Sequence, residues 1–206
     1  MSEKQSRVES RVSKVDGSSE AGYKAPRWAW WVASGFGSGY LKPAPGTWGS
    51  LAAVAVWWIL LHLFGFRLLD KLVAFHGPFT LPLTLALGMT ILGILAADRV
   101  VRETGLKDPA FIVADEWAGM WIALAPILWH AGSLSPGWGL LRVVTPFALF
   151  RLFDIWKPWP CHQLQVLRGG TGVVIDDVAA GIYAAVGTYL ADGWLVSHIE
   201  ILRTAR

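Results

Sequence analysis

The chain has 206 residues, 54% of them apolar and only 16% charged, with 13 Trp and a mean hydropathy of +0.44. A net charge of +3 without a basic stripe of stacking aromatics excludes a nucleic-acid surface, and the single Cys161 excludes an internal disulfide. What remains is the composition of a one-domain membrane protein.

Residues 1–27 are polar, mixed in charge and poor in large apolar side chains, which predicts a disordered tail without the apolar core of a secretory signal. Residues 28–206 are expected to form a single helical membrane domain. Its first part, Trp28 to Leu41, mixes aromatics with glycine and suits the membrane interface, where Trp rings concentrate. A Gly/Pro loop follows, Gly35-Phe-Gly-Ser-Gly39-Tyr-Leu-Lys42-Pro-Ala-Pro-Gly46-Thr47-Trp-Gly49-Ser50, running straight into an apolar stretch. Glycine backbone N–H groups turned inward at a helix N-terminus can cradle a phosphate. Gly37, Lys42, Thr47 and Ser50 are therefore candidate substrate contacts. A turn with a Ser or Thr cap accounts for the loop taken alone, and its spacing is not that of a P-loop.

Five apolar segments come next: roughly Gly49 to Phe66, Pro78 to Ala97, Trp117 to Ala131, Leu140 to Phe153 and Val178 to Val196. The first, second and fifth approach the length of about 20 residues that crosses a bilayer. The third and fourth are short, read either as kinked spans around Pro126 and Pro146 or as a hairpin buried by its neighbours. The expectation is an all-α membrane bundle of about five apolar helices. If each crosses, the Gly/Pro loop, the Asp98 to Glu116 connection and the Asp154 to Asp177 connection emerge on one face. That face also takes 13 of the 18 Lys and Arg residues, which marks it as cytoplasmic.

Three acidic clusters converge there. Asp115-Glu116 opens the third segment; one acid suffices to complement a helix dipole, but two neighbours repel without a cation or proton between them. Arg151-Leu-Phe-Asp154-Ile-Trp-Lys157 holds a carboxylate between two cations at i,i+3 spacing, followed at once by Pro158-Trp159-Pro160, which ends the helix. Asp176-Asp177 opens the last segment behind the glycine run Gly169-Gly-Thr-Gly172. Each cluster alone has a bland reading as a cap, an interfacial anchor or a loop end. Together, hard oxygen ligands beside phosphate-binding cations point to Mg²⁺ rather than zinc. Asp115, Glu116, Asp154, Asp176 and Asp177 are the candidate metal ligands and catalytic groups, and Arg151 and Lys157 the candidate phosphate contacts. Rival chemistries fit less well: Cys161 and Arg168 are not joined by a tight phosphate loop, and no Gly-x-Ser-x-Gly elbow is present.

The motifs Gly35-Phe-Gly-Ser-Gly39, Pro45-Gly-Thr-Trp-Gly-Ser50, Asp115-Glu116-Trp-Ala-Gly119-Met-Trp121, Arg151 through Pro160, and Gly169 through Asp177 and Gly181 occur in order over roughly Trp28 to Leu190. In this the chain resembles the bacterial phosphatidylglycerophosphatase A family. The resemblance implies a multi-pass enzyme of the bacterial inner membrane that uses Mg²⁺ to remove the terminal phosphate of phosphatidylglycerophosphate, giving phosphatidylglycerol. Membrane lipid and that substrate are then the expected partners. The alternative is a non-catalytic membrane ion or lipid-phosphate transporter, whose polar groups are expected near mid-membrane rather than at segment ends.

Overall fold

A computed structural model describes residues 23–63, 80–128 and 139–204. Every described element is helical. Helix α1 is Arg27–Ala33, followed by a 3₁₀ turn at Ser38–Tyr40; α2 is Pro45–Leu63 and α3 Thr80–Thr104. Helix α4, Ala114–Leu124, continues into a 3₁₀ turn at Ala125–Leu128; α5 is Gly139–Trp156, α6 Cys161–Leu164 and α7 Gly170–Thr204.

The five apolar segments fall on α2, α3, α4, α5 and α7, but they are not five equivalent crossings. Only Pro82–Thr104 and Gly170–His198 are long and apolar enough to span a membrane among the described residues, with a shorter apolar helix at Pro45–Leu60. At 1.5 Å per residue α4 covers about 16 Å, roughly half a hydrocarbon core. It is instead the centre of the bundle, packed against α2, α3, α5 and α7. Glu116 through Trp121 are all buried, and a helix covered on every side belongs inside a protein core. Met120 and Leu124 of α4 share one buried cluster with Trp57 of α2 and Phe150 of α5, and the Trp121 indole N–H donates to the Ala53 carbonyl at 3.0 Å.

The longer helices turn their other faces outward. Leu83, Leu87, Ile91 and Leu95 on α3, and Ile182, Val186 and Leu190 on α7, are exposed at helical spacing. Apolar ridges of this length on a helix surface call for an apolar cover, as lipid provides. The expected disordered tail lies, over residues 1–22, outside the described residues. Its last residues are held: the Ala25 N–H donates to the Glu103 carboxylate at 2.8 Å, the Trp30 indole to the same oxygen at 3.0 Å, and α1 begins at Arg27.

Helices α4 and α7 meet backbone to backbone. A Cβ on Gly181 would stand 2.5 Å from the Gly119 carbonyl oxygen, and one on Gly119 would stand 2.6 Å from the Asp177 carbonyl oxygen and 2.4 Å from the Phe150 ring. Each glycine lies one turn beyond an acidic residue, Asp115 on α4 and Asp177 on α7. The contact therefore fixes how closely the two acidic pairs approach. Gly181→Ala is expected to lower the thermal midpoint in detergent and to reduce activity. Gly193→Ala, where a Cβ meets nothing within 4 Å, is expected to leave the midpoint unchanged or raise it, since alanine is favoured over glycine in a helix by about 1 kcal/mol. Equal midpoints for the two variants would refute the close-contact account.

Far from these acids, α5 and α7 share a second buried polar contact. Arg142 pairs with Asp192 through two bonds of 2.7 and 2.8 Å, and its guanidinium also donates to the Ile127 carbonyl.

Candidate active site

Helix ends deliver the acidic groups to one place. The first turn of α4 carries Asp115 and Glu116, the end of α5 carries Arg151 and Asp154 with Lys157 just beyond it, and the second turn of α7 carries Asp176 and Asp177. All five carboxylates and Lys157 line one groove of about 900 Å³, together with Gly46, Gly169 and Gly172. Glu116 and Asp154 are 9% exposed, Asp176 and Asp177 only 3%, so these groups sit in protein rather than in water.

A continuous chain of polar contacts crosses the groove. The Ser50 hydroxyl stands 3.0 Å from Glu116 Oε2, and the same oxygen accepts from Arg151. Arg151 also reaches Asp154 at 2.9 Å; Lys157 lies 4.0 Å from Asp154 and 2.6 Å from Asp176. Buried charges survive only when paired, and this relay pairs Glu116, Asp154 and Asp176. Asp115 and Asp177 receive no basic side chain among the described residues. One oxygen of Asp115 accepts the Glu116 N–H at 2.9 Å, so that acid partly serves the start of α4 as well. Asp176 Oδ1 is buried and meets no hydrogen-bond donor among the described residues.

Local sequence explains how two of these groups arrive. Pro45 opens α2 at the position where its missing N–H costs nothing, and Gly46 follows. A Cβ on Gly46 would stand 2.1 Å from Glu116 Oε1 and 3.3 Å from Arg151, so only glycine lets α2 press against this ion pair. At the other side, Lys157 ends α5 with φ of +49° and donates its N–H to the Phe153 carbonyl at 2.8 Å, a left-handed cap before Pro158. That conformation costs a side-chain-bearing residue about 1–2 kcal/mol, and it turns the ammonium back toward Asp176. Burial pulls the Lys157 pKa down, but the hydrogen bond to Asp176 and the charges of Asp176, Asp177 and Asp154 outweigh it and raise the pKa. The ammonium of the folded protein stays charged at neutral pH.

Of the expected phosphate contacts in the Gly/Pro loop, the structure brings only part to the groove. Gly37, Lys42 and Thr47 do not line it, and the glycine-rich turn before them packs instead on Val113, Phe111 and Trp117. Ser50 is fully buried and faces Glu116 rather than the open groove. Asp108 and Lys107, from the connection between α3 and α4, line the groove although the sequence reading singled out neither; Arg168 does so too. Partial burial, then the charge of Asp176, push the Asp108 carboxyl up against the opposing pull of Lys157 and Lys107. The signal for Asp108 was its place in a polar connection between two apolar segments, beside Lys107. Cys161 is buried, and burial pushes its thiol up, the reverse of what a thiolate nucleophile requires.

Among the described residues, no three acidic, histidine or cysteine side chains close on a single ligand point. The donor set is nevertheless all oxygen, carries more negative charge than its paired cations neutralise, and includes the unpartnered Asp176 Oδ1. That chemistry fits a hard divalent cation.

The family model of phosphatidylglycerophosphatase A matches residues 31–192 of the chain. A Haemophilus influenzae phosphatidylglycerophosphatase A is 38% identical over 166 residues, covering 80% of this chain and 89% of the relative. The Escherichia coli protein of the same name is 35% identical over 156 residues, covering 75% and 77%. A Bacteroides thetaiotaomicron protein named "Putative phosphatidylinositol-3-phosphatase" is 36% identical over 159 residues, covering 75% and 87%. No solved structure matches the chain.

Proposed function

Because the chain belongs to the phosphatidylglycerophosphatase A family, we propose that it hydrolyses the terminal phosphomonoester of phosphatidylglycerophosphate, giving phosphatidylglycerol and phosphate. The observation that carries this reading is the groove itself: five carboxylates and a lysine gathered from three helix ends, three of the carboxylates linked by an ion-pair relay. Such a floor repels a phosphate by itself and favours one when a divalent cation is shared between them.

Mg²⁺ is the proposed cofactor, and Asp115, Asp176 and Asp177 are the residues that would hold it, with Glu116 and Asp154 beside them. When bound, it would neutralise phosphoryl charge and lower the pKa of a water. The chain's own groups supply the rest. Arg151 pairs with both Glu116 and Asp154 and fixes their orientation, and Ser50 holds Glu116 from the other side. Lys157, a quarter exposed, offers its ammonium to the oxygens of the transferred phosphoryl group. A water oxygen attacks phosphorus in line, the bond from phosphorus to the glycerol oxygen breaks, and the proton that the water gives up is balanced by the one the leaving oxygen takes.

The enzyme is placed in the bacterial inner membrane with the groove on the cytoplasmic face. Support comes from the two helices of spanning length, the exposed apolar ridges on α3 and α7, and the 13 of 18 Lys and Arg residues that fall on the groove's side of the spans, seven of them before the first span. Exposed Trp28, Trp31, Trp156 and Trp159 suit the headgroup layer. Purified protein in detergent is expected to release inorganic phosphate from phosphatidylglycerophosphate with Mg²⁺, to stop when EDTA is added and to resume when Mg²⁺ is restored. Release that continues undiminished in excess EDTA would remove the metal from the proposal; no release under any condition would remove the substrate.

A further inference from the structure

The acidic floor accounts for one part of the groove, and its rim has a different chemistry. Two connections border it, one leaving α3 with Gly105, Lys107 and Asp108, the other entering α7 with Gln165 to Gly169. Each sets an exposed apolar residue beside a basic one: Leu106 next to Lys107, and Leu167 next to Arg168. Pairs of this kind suit a lipid boundary, with the apolar side chain toward the acyl region and the cation at the level of the phosphates. The floor needs an added cation to accept an anion. Lys107 and Arg168 carry their own.

We infer that Lys107 and Arg168 form a second anion position at the groove rim, which takes the phosphodiester of a lipid whose phosphomonoester lies at the acidic floor. This rests on the reading of the floor as the phosphomonoester site. The order from floor to rim to lipid then matches the order of groups in a lipid with two phosphates: terminal monoester, diester, acyl chains. Arginine's planar fork spans the two free oxygens of a diester, and lysine adds a point charge. The rim thereby favours a lipid with both phosphates over a phosphomonoester without the diester.

The test uses the full-length protein in neutral-detergent mixed micelles, with phosphatidylglycerophosphate as substrate. The product phosphatidylglycerol, which has only the diester, and inorganic phosphate, which has none, serve as competing inhibitors. For Lys107→Gln with Arg168→Gln, KM for the substrate and the inhibition constant for phosphatidylglycerol are each expected to rise about tenfold, equivalent to about 1.4 kcal/mol. The turnover number and inhibition by inorganic phosphate should stay unchanged, and Lys107→Arg with Arg168→Lys should recover most of the loss. An unchanged KM, or equal weakening for both inhibitors, would overturn the assignment, the latter because general electrostatic attraction or a damaged floor acts on any anion. Wild-type protein that releases no phosphate from the lipid would instead refute the reading of the floor.

Discussion

Asp176→Asn is expected to reduce phosphate release by on the order of 10³-fold, about 4 kcal/mol of transition-state stabilisation, while the protein keeps its helical content and thermal transition. Two roles meet at this residue. Oδ2 holds Lys157 at 2.6 Å, and Oδ1 is buried without a donor. Asparagine keeps the shape but removes the charge, so Lys157 loses its strongest anchor and falls back on Asp154 at 4.0 Å. The same change removes one of the three carboxylates proposed to hold the cation. Folding should tolerate it, because Asn relieves repulsion with Asp177 and Asp115 even as it gives up an ion pair. Phosphate release near the wild-type rate from well-folded Asp176→Asn would rule out Asp176 as a ligand or an anchor.

Arg151→Met should destabilise the protein by about 3–5 kcal/mol and abolish activity. Arg151 is the one basic side chain that pairs with both Glu116 and Asp154 among the described residues, and its loss leaves Glu116 with no basic partner there and Asp154 with only Lys157 at 4.0 Å. The cost is that of the stranded charges more than of the lost attraction. Adding Glu116→Gln to Arg151→Met is therefore expected to restore part of the thermal midpoint without restoring phosphate release. A double variant no more stable than Arg151→Met would show that packing around the guanidinium, not unpaired charge, sets the loss.

The acidic clusters were legible in the sequence because carboxylates at the mouths of apolar segments are unusual wherever they occur. Asp154 was legible for a further reason, its i,i+3 cations, which the structure finds on either side of it. The Gly/Pro loop was harder to read. Gly37 and Gly46 look alike in sequence, but Gly46 meets Glu116 whereas the turn around Gly37 rests on residues of the α3 to α4 connection. What a glycine admits depends on the residue opposite, and that residue lies far along the chain. The role of α4 was ambiguous for the same reason: an all-apolar helix reads alike whether lipid or protein surrounds it. Asp108, flanked by Lys107 and Pro109, has the local pattern of an ordinary turn, and only the fold brings it beside Asp176.

The two ion pairs that link α5 and the residue capping it to α7 share one antiparallel register. Arg142 meets Asp192 and Lys157 meets Asp176, so the contacts stand about 22–24 Å apart along the helices, counted at 1.5 Å per residue. A slide of one helix past the other by a single turn, about 5.4 Å, would break both contacts at once. Two contacts so far apart oppose both sliding and swinging of one helix against the other. The spacing of the acidic floor is thus gauged partly from the far end of the bundle, by two residues that never approach the substrate.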